Sequence, residues 1–302
     1  MYDDQDQQQQ QQQQDNYKLE SVLSPIFPKA TGLLFHTGNT LTCFKSVKKT
    51  NMNATEEIIE YISMMLHTLR KNNDFKQFEE EKYVKILPTI TSDEGLSNGN
   101  ANGGSNTTDY EQLTREDLKI SVKIFLRSLD PKILSDAIET VLQEMKENYF
   151  ESLLLSLPNY GTKLTIDELL PLWNVVESYM DKQKVLSAGV CDFMLPLLLE
   201  LCTAAKHKPY ANQINLGVCC TIPEELNKYV KENDIQLLTH SDPMDIINDS
   251  DYQNSLRKYC HEYDALNWRP AWVARYNSVI ANRGIIKTKG YFVYANRELR
   301  MT

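Results

Sequence analysis

The sequence lacks the signals that mark membrane, secreted and nucleic-acid-binding proteins. None of its apolar runs approaches the roughly 20 residues that a helix needs to cross a bilayer. Its acidic, glutamine-rich start differs from a secretory signal, which combines a cationic and an apolar segment. A formal net charge of −9 disfavours nucleic acid and anionic lipid as partners, because both repel a negative surface. We therefore expect a soluble cytoplasmic protein without a nucleic-acid or membrane partner.

Motifs with a strong chemical meaning are also missing. The cysteines show no Cys-x-x-Cys spacing and the histidines no His-x-x-x-His spacing, so a metal site has no support. No glycine-rich dinucleotide fingerprint, phosphate loop or Gly-x-Ser-x-Gly elbow follows a strand-like segment. The 6 cysteines have no framework-like spacing, which favours reduced thiols over a disulfide scaffold.

Two segments of low complexity flank or interrupt the patterned sequence. Residues Met1 to Asn16 hold an unbroken glutamine run, and this polyglutamine tail is predicted to be disordered. Thr91 to Asp109 is rich in Gly, Asn and Ser and is predicted to be a flexible insertion. The remaining chain, 17–302, is predicted to be a single domain, since a chain with 41% hydrophobic residues can bury one large core.

Strand-like and helix-like segments alternate along this domain, which is typical of a parallel sheet with covering helices. The predicted strands are Thr31 to His36, Tyr83 to Ile90, Leu118 to Leu126, Ser152 to Leu157, Val185 to Cys191, Gln213 to Cys219, Ile235 to His240 and Gly284 to Thr288. The predicted helices are Thr55 to Arg70, Pro131 to Asn148, Ile166 to Lys182, Met194 to His207, Pro223 to Glu232 and Pro270 to Ala281, with short helices within Asp242 to Asp264. Eight strands suit an α/β fold of the (β/α)8 TIM-type barrel, although an open doubly wound sheet fits the alternation nearly as well.

Three segments carry a family resemblance: LLFHTGNTL (Leu33 to Leu41), NQINLGVCCTIPEELNKYVKENDIQLLTHSDP (Asn212 to Pro243) and WRPAWVARYNSVIANRGIIKTKGY (Trp268 to Tyr291). In this order they resemble the regulatory, or modifier, subunits of glutamate–cysteine ligase, the first enzyme of glutathione synthesis. Such subunits in turn look like aldo-keto reductases, NADPH-dependent enzymes built on an eight-stranded α/β barrel. The resemblance therefore favours the barrel over the open sheet.

The likeness to aldo-keto reductases implies a set of catalytic positions. In those enzymes a tyrosine donates a proton, a lysine and an aspartate lower its pKa, and a histidine orients the substrate. Lys123, in REDLKISVKIF, matches the lysine, whereas Ser156, in LLSLP, stands at the place of the histidine. No Asp-x-Ala-x-x-Tyr pattern precedes the helix TEEIIEYISMML, so only Tyr61 and Tyr83 remain as stray phenols. We expect a vestigial Lys123 and no catalytic residue.

The same resemblance implies cofactor positions that are only partly kept. Gln213 matches the glutamine that holds the nicotinamide amide, and His240 falls where a tyrosine stacks on the nicotinamide ring. Cys191 and Asp192, in GVCDF, replace the usual serine and asparagine, while Lys289 lies near the lysine that meets the 2′-phosphate. We expect no resident cofactor, and NADPH at Gln213 and His240 is the alternative.

A basic C-terminal segment, NRGIIKTKGYFVYANRELR, is the first candidate for a partner-binding surface. Its cations in an otherwise acidic chain include Arg283, Lys287 and Lys289. Tyr291 is the candidate aromatic anchor, because aromatic residues beside arginine often dominate interface energies. A solvated strand end is the simpler interpretation.

Cys219 and Cys220 are the candidates for a redox contact with a partner, although two small apolar fillers would explain them equally well.

Together these features predict a non-catalytic regulatory subunit. The resemblance implies a heterodimer with the catalytic subunit of glutamate–cysteine ligase, whose use of glutamate would improve and whose feedback inhibition by glutathione would be relieved. The ATP-dependent ligation would then take place on the other chain. The alternative from another class is a divergent aldo-keto reductase-like oxidoreductase, or an NADPH sensor without turnover.

Overall fold

Residues 25–42, 52–88, 113–158, 164–217 and 221–298 are described by the computed structural model. The predicted tail at 1–16 and the predicted insertion at 91–109 lie outside these residues, as do Cys219 and Cys220. The predictions that concern them stay predictions.

The strands of the described residues form one mixed sheet. They are β1 (Gly32–His36), β2 (Tyr83–Ile86), β3 (Leu118–Leu126), β4 (Phe150–Ser156), β5 (Val185–Cys191), β6 (Ala211–Asn215), β7 (Gln236–His240), β8 (Trp268–Ile280) and β9 (Ile285–Arg297). Hydrogen-bonded neighbours follow the order β2-β1-β9-β8-β3-β4-β5-β6-β7. β1 and β2 are parallel, and β3 to β7 form a second parallel run. Among the residues described, the ladder runs from β2 to β7 and no further ladder joins these two ends.

Helices connect the parallel strands, as the alternating pattern predicts. They are α1 (Ala54–Asn72), α2 (Pro131–Met145), α3 (Ile166–Asp181), α4 (Leu195–Ala204), α5 (Glu224–Glu232), α6 (Asp249–Arg257) and α7 (Glu262–Ala265). Local signals set their starts. Asn53 and Glu56 form a capping box that satisfies backbone N–H groups at the start of α1. At the start of α2, the Asp130 carboxylate accepts a hydrogen bond from the backbone N–H of Lys132.

The predicted helix Pro270 to Ala281 is wrong, because this segment is strand β8. It pairs antiparallel with β3 on one side and with β9 on the other. The proline near its start and its alanines imitate a helix start, but hydrogen bonding along both edges outweighs that local preference. The predicted strand Gly284 to Thr288 is the beginning of β9, which continues to Arg297. A long hairpin thus replaces the predicted helix and eighth strand.

Two apolar clusters pack on opposite faces of the sheet. Alternate residues of β1 divide between them: Leu34 joins one cluster, whereas Leu33 and Phe35 join the other. The first cluster includes the apolar faces of α2 to α5, and the second includes those of α1, α6 and α7. β9 is shared in the same way, with Phe292 on the first side and Val293 on the second. The hairpin therefore contributes to both cores.

Gly290 of β9 allows a close contact between the hairpin and the end of β1. It lies opposite Tyr276 of β8, whose hydroxyl crosses the position of the missing side chain and donates to the Gly38 carbonyl at 2.8 Å. A Cβ atom at residue 290 would lie 2.2 Å from that carbonyl oxygen and 2.4 Å from the hydroxyl. Because the Gly38 oxygen belongs to the backbone, it cannot move aside as the end of a flexible side chain can.

We predict that Gly290→Ala lowers the free energy of unfolding by about 1–3 kcal/mol, because the added methyl group overpacks this contact. Urea denaturation measures the change. Gly284→Asn is the control: residue 284 has φ +64° and nothing within 4 Å of a built Cβ, and asparagine tolerates this backbone conformation. Equal losses for both variants would contradict the steric explanation.

Candidate functional site

Polar side chains from successive parallel strands meet at one edge of the sheet. The carboxyl ends of parallel strands lie at the same edge, which is where α/β folds bind their ligands. The residues that the structure brings together there are Lys123, Ser156, Cys191, Asp192, Gln213, Asn215, His240 and Asp242. The sequence-predicted positions Lys123, Gln213 and His240 are thus neighbours in space.

A cavity of about 220 Å³ opens at this edge. Its apolar wall includes Phe125, Leu157 and Ile214, and its polar wall includes Asp192 and His240. Drug-sized ligands usually occupy about 300–1,000 Å³, so this cavity suits a smaller group.

Lys123 is held in a buried ion cluster below the cavity. Its ammonium group donates to Asp242 Oδ2 at 2.8 Å and to Gln213 Oε1 at 2.8 Å. Arg275 of β8 contacts both oxygens of the same carboxylate, one of them at 3.0 Å. The Lys123 and Asp242 side chains are only 5% and 7% exposed, so each charge depends on its partners rather than on water.

Asp242 carries a strongly shifted ionisation. Burial alone would raise the pKa of its carboxyl group, but hydrogen bonds from His240 and Arg275 and the charges of Arg275 and Lys123 outweigh burial. The pKa of Asp242 therefore lies well below its usual range. The carboxylate stays ionised and offers its negative charge to both Lys123 and Arg275.

Asp242 and Arg275 were not among the residues predicted from the sequence. Arg275 was missed because its segment was predicted to be a helix, whereas on β8 it faces Lys123 across the ladder. Asp242 follows the end of β7 by two residues, in the sequence THSDP. A carboxylate just beyond the carboxyl end of a parallel strand was the signal that could have identified it.

His240 lies between two carboxylates. Its Nε2 is 3.2 Å from Asp192 Oδ2, and its Nδ1 is 3.2 Å from Asp242 Oδ2. Burial lowers the pKa of His240, but hydrogen bonds to Asp192 and Asp242 raise it above its ordinary value overall.

Asp192 has φ +62°, a conformation that asparagine and aspartate adopt more readily than most residues. This backbone requirement explains why Asp192 can occupy a position where the resembling enzymes have asparagine.

Two other candidate groups, Cys191 and Tyr83, have pKa values that burial raises. Cys191 is buried, and burial raises the pKa of its thiol to about 11, so the reactive thiolate is disfavoured. The Tyr61 hydroxyl donates to the backbone carbonyl of Thr40, and burial raises the pKa of Tyr83. A proton-donating phenol needs the opposite shift. In the described part of the chain, every tyrosine with a resolved pKa shift has a raised pKa.

The residues at this edge do not fit NADPH in the manner of aldo-keto reductases. Both ends of the Gln213 amide are engaged, because Oε1 accepts from Lys123 and Nε2 donates to the Thr239 carbonyl at 3.3 Å. The Lys289 ammonium group pairs with Glu57 at 3.0 Å, so a carboxylate lies where a 2′-phosphate would be required. Gln213 and Lys289, which would hold the nicotinamide amide and the 2′-phosphate, thus bind other groups of this chain instead.

The predicted partner-binding residues lie along the β8–β9 hairpin. Arg283 and Lys287 are exposed near its turn. Lys289 is partly buried by its ion pair with Glu57. Tyr291 is only 1% exposed, and its hydroxyl donates to Glu57 at 2.6 Å, so its ring belongs to the core of this chain. Ile285 and Ile286, at 46% and 47% exposed, are the apolar residues that the hairpin turn presents.

The described residues contain no group of three or more His, Cys, Asp or Glu side chains that could hold a metal ion. No helix among them is both long and apolar enough to span a membrane.

Comparison with known proteins relates the chain to two groups. The model of the aldo/keto reductase family matches residues 106–246. The glutamate–cysteine ligase regulatory subunit of Rattus norvegicus is 28% identical over 276 residues, which cover 90% of this chain and 96% of the rat protein. That of Homo sapiens is 32% identical over 186 residues, covering 61% of this chain and 68% of the human protein.

A solved structure is also similar. An aldo-keto reductase enzyme from a Medee basin deep-sea metagenome library has 23% sequence identity and a TM-score of 0.37, covering 44% of this chain and 47% of that enzyme. The predicted α/β fold of the aldo-keto reductase type is confirmed by the family match together with the alternating strands and helices.

We predict that Asp242→Asn lowers the free energy of unfolding by about 3–5 kcal/mol, because Lys123 and Arg275 would keep buried charges without their carboxylate. Asp192→Asn is the matched control in the same cavity. Its side chain is 45% exposed, and asparagine retains an acceptor for the backbone N–H of Asn215, so its loss should stay below about 1 kcal/mol. Chemical denaturation measures both, and similar small losses would contradict a structural role for the cluster.

Acid should destabilise the protein through the same carboxylate. Because the folded pKa of Asp242 is depressed, its contribution is present above the unfolded pKa of about 4 and is lost as pH falls toward the folded pKa. We expect the free energy of unfolding of the wild type to fall more steeply between about pH 5 and pH 2 than that of Asp242→Asn. Urea titrations at stepped pH values test this expectation, and parallel curves would argue against it.

Proposed function

This chain belongs to the family of glutamate–cysteine ligase regulatory subunits, and we therefore propose that it binds the catalytic subunit of that ligase and regulates it. On binding, it would improve the use of glutamate by the catalytic subunit and relieve feedback inhibition by glutathione. The chain itself would catalyse no reaction. The observation that carries the proposal is the match to the rat subunit along 90% of this chain and 96% of that protein.

The ion cluster supports a role without catalysis. In the resembling enzymes the lysine must face a phenol whose pKa it lowers. Here Lys123 faces Asp242 and Gln213, and Ser156 lies at the cavity in place of a histidine. A lysine that neutralises a buried carboxylate supports the sheet instead of activating a proton donor. The same contacts speak against a divergent oxidoreductase.

The turn of the β8–β9 hairpin is the proposed contact with the catalytic subunit. Ile285 and Ile286 supply exposed apolar area, and Arg283 and Lys287 supply positive charge in a chain whose net charge is −9. Exposed apolar residues that cations flank in the sequence are suited to an acidic surface on a partner. Cys219 and Cys220, which lie outside the described residues, remain proposed for a redox contact.

Regulation of this kind requires only a difference in affinity. If the regulatory chain binds the glutamate-competent conformation of its partner more tightly than the other conformations, binding shifts the population toward it. A tenfold change in the apparent glutamate requirement corresponds to a difference of about 1.4 kcal/mol between the two conformations. No group of the regulatory chain has to enter the active site of the ligase.

We predict that titrating the full chain into purified catalytic subunit lowers its apparent KM for glutamate and raises the glutathione concentration needed for half-inhibition. Steady-state kinetics at saturating regulatory chain measures both quantities. No change in either one would reject the proposed function.

The double reversal Arg283→Glu with Lys287→Glu should weaken the complex about tenfold or more, because like charges would then oppose the acidic surface. The reversal of two exposed lysines elsewhere, Lys208→Glu with Lys231→Glu, is matched in net charge and should leave the affinity within about twofold. Equal losses for the two pairs would point to net charge alone and not to the hairpin turn.

A further inference from the structure

Three aromatic rings form a continuous platform on the face of the sheet that carries α2. The aromatic platform consists of Tyr83 of β2, Tyr294 of β9 and Trp272 of β8. The rings of Tyr83 and Tyr294 are 5.9 Å apart and tilted by 34°, and those of Trp272 and Tyr294 are stacked at 5.7 Å. Trp272 is buried as the floor, whereas Tyr83 is 45% exposed at the open end.

A glycine on β1 allows the two tyrosines to meet. β1 lies between β2 and β9, and Gly32 pairs with Tyr83. A Cβ atom on residue 32 would lie 2.7 Å from the Tyr294 hydroxyl oxygen and 3.1 Å from Tyr83. Any other residue there would separate the rings. The platform therefore depends on a small residue at a defined position.

One face of α2 forms an acidic wall opposite the platform. Asp136, Glu139 and Glu144 line the groove with the aromatic rings, and the space between them is about 380 Å³. Glu144 pairs with Lys85 and Glu139 pairs with Lys184. Asp136 is exposed and has no ion-pair partner in the described part of the chain, so one negative charge remains for a ligand.

Aromatic faces beside a carboxylate recognise cations. The negative face of each ring attracts a positive group, and a carboxylate completes the pairing. Neighbouring rings are inclined by 29–34° to one another, so they form a shallow surface that does not enclose a ligand from several sides, and a planar guanidinium group can stack on one ring face while its N–H groups reach a carboxylate. A quaternary ammonium group, in contrast, is usually enclosed by several ring faces. The geometry thus favours an arginine side chain.

The setting of the groove favours an arginine that belongs to a protein. β2 is the end strand of the described sheet, and among the described residues no strand pairs with its outer edge, which is the kind of edge to which a neighbouring segment can add. Leu87, 49% exposed, extends the apolar surface just beyond β2. A protein segment could lie along this edge and place its arginine on the platform.

We propose that the groove between α2 and the aromatic platform binds an arginine side chain of the ligase catalytic subunit, as a second contact apart from the hairpin turn. This inference rests on the proposed function, because it names the surface through which the same partner is held. Tyr83 and Asp136 are the residues of the groove that can be changed without disturbing the core, since both are exposed.

The affinity of the full chain for purified catalytic subunit tests the inference. Tyr83→Leu keeps apolar area but removes the ring face, and Asp136→Asn keeps the shape but removes the charge. Each should raise the Kd about tenfold, while the effect on glutamate use at saturating concentration persists. The matched controls are Tyr263→Leu, at a tyrosine that is 75% exposed, and Glu200→Gln, at an exposed acid on α4. Both controls should bind as the wild type does.

A photo-crosslinking amino acid at position 83 locates the contact independently of affinity. We expect it to capture the catalytic subunit at a segment that contains arginine, and the same group at position 263 to capture nothing. Changing that arginine to lysine should reproduce the loss, and Tyr83→Leu should then add little further loss, as a double-mutant cycle would report.

The outcomes separate the two proposals. If the wild-type chain binds and regulates but the Tyr83 and Asp136 variants bind equally well, the arginine groove is overturned and the proposed function stands. Capture of a segment without arginine overturns the groove in the same way. If the wild-type chain neither binds nor regulates the catalytic subunit, both proposals fall.

Discussion

Pairing of the β8–β9 hairpin with β1 on one edge and β3 on the other is the constraint on which the rest of the described structure depends. Each strand of the hairpin is 13 residues long, so β9 pairs with the full length of β1 and β8 with the full length of β3. The hairpin thereby joins two parallel parts that would otherwise be separate in the described sheet. Alternate side chains of both strands enter opposite apolar clusters. Because side chains alternate along β8, Arg275 lies beside Lys123 on one face of the sheet. Trp272 lies in the aromatic platform on the other face.

The ion cluster shows how this fold keeps a charged group in its polar interior. A buried lysine without a partner would be costly, so it needs a counter-ion within the protein. Asp242 supplies the charge from beyond β7, and Arg275 adds a second cation from the hairpin. Asp242 compensates the buried charge of Lys123, so the lysine is stable there without a catalytic role. The presence of Lys123 alone therefore says little about catalysis. Binding surfaces have more freedom, since the hairpin turn presents exposed residues and Tyr83 lies exposed at the open end of the aromatic platform.

Much of the α/β pattern could be predicted from the sequence because it depends on local periodicity and caps. The predicted strand Val185 to Cys191 has the bounds of β5, and the predicted helix at Thr55 to Arg70 differs from α1 by one or two residues at each end. Local signals failed at Pro270 to Ala281, where the residues that decide the conformation are far away along the chain. Lys123, Gln213 and His240 were found through resemblance, and they do lie together at the cavity edge. Their partners Asp242 and Arg275 were missed, because the segment of Arg275 was predicted to be a helix and no spacing in the sequence links either residue to Lys123.

The sequence by itself determined the alternation of strands and helices, the family resemblance, the negative net charge and the kinds of residue available for a site. Only the tertiary structure decided where the last two strands lie, which carboxylate neutralises Lys123, and that Tyr291 is buried while Tyr83 is exposed. The physical reason is the range of the interactions. Caps and periodicity act within a few residues, whereas strand pairing, burial of charge and ring contacts join residues that are 90 to 240 positions apart, such as Lys123 with Gln213 and His36 with Tyr276.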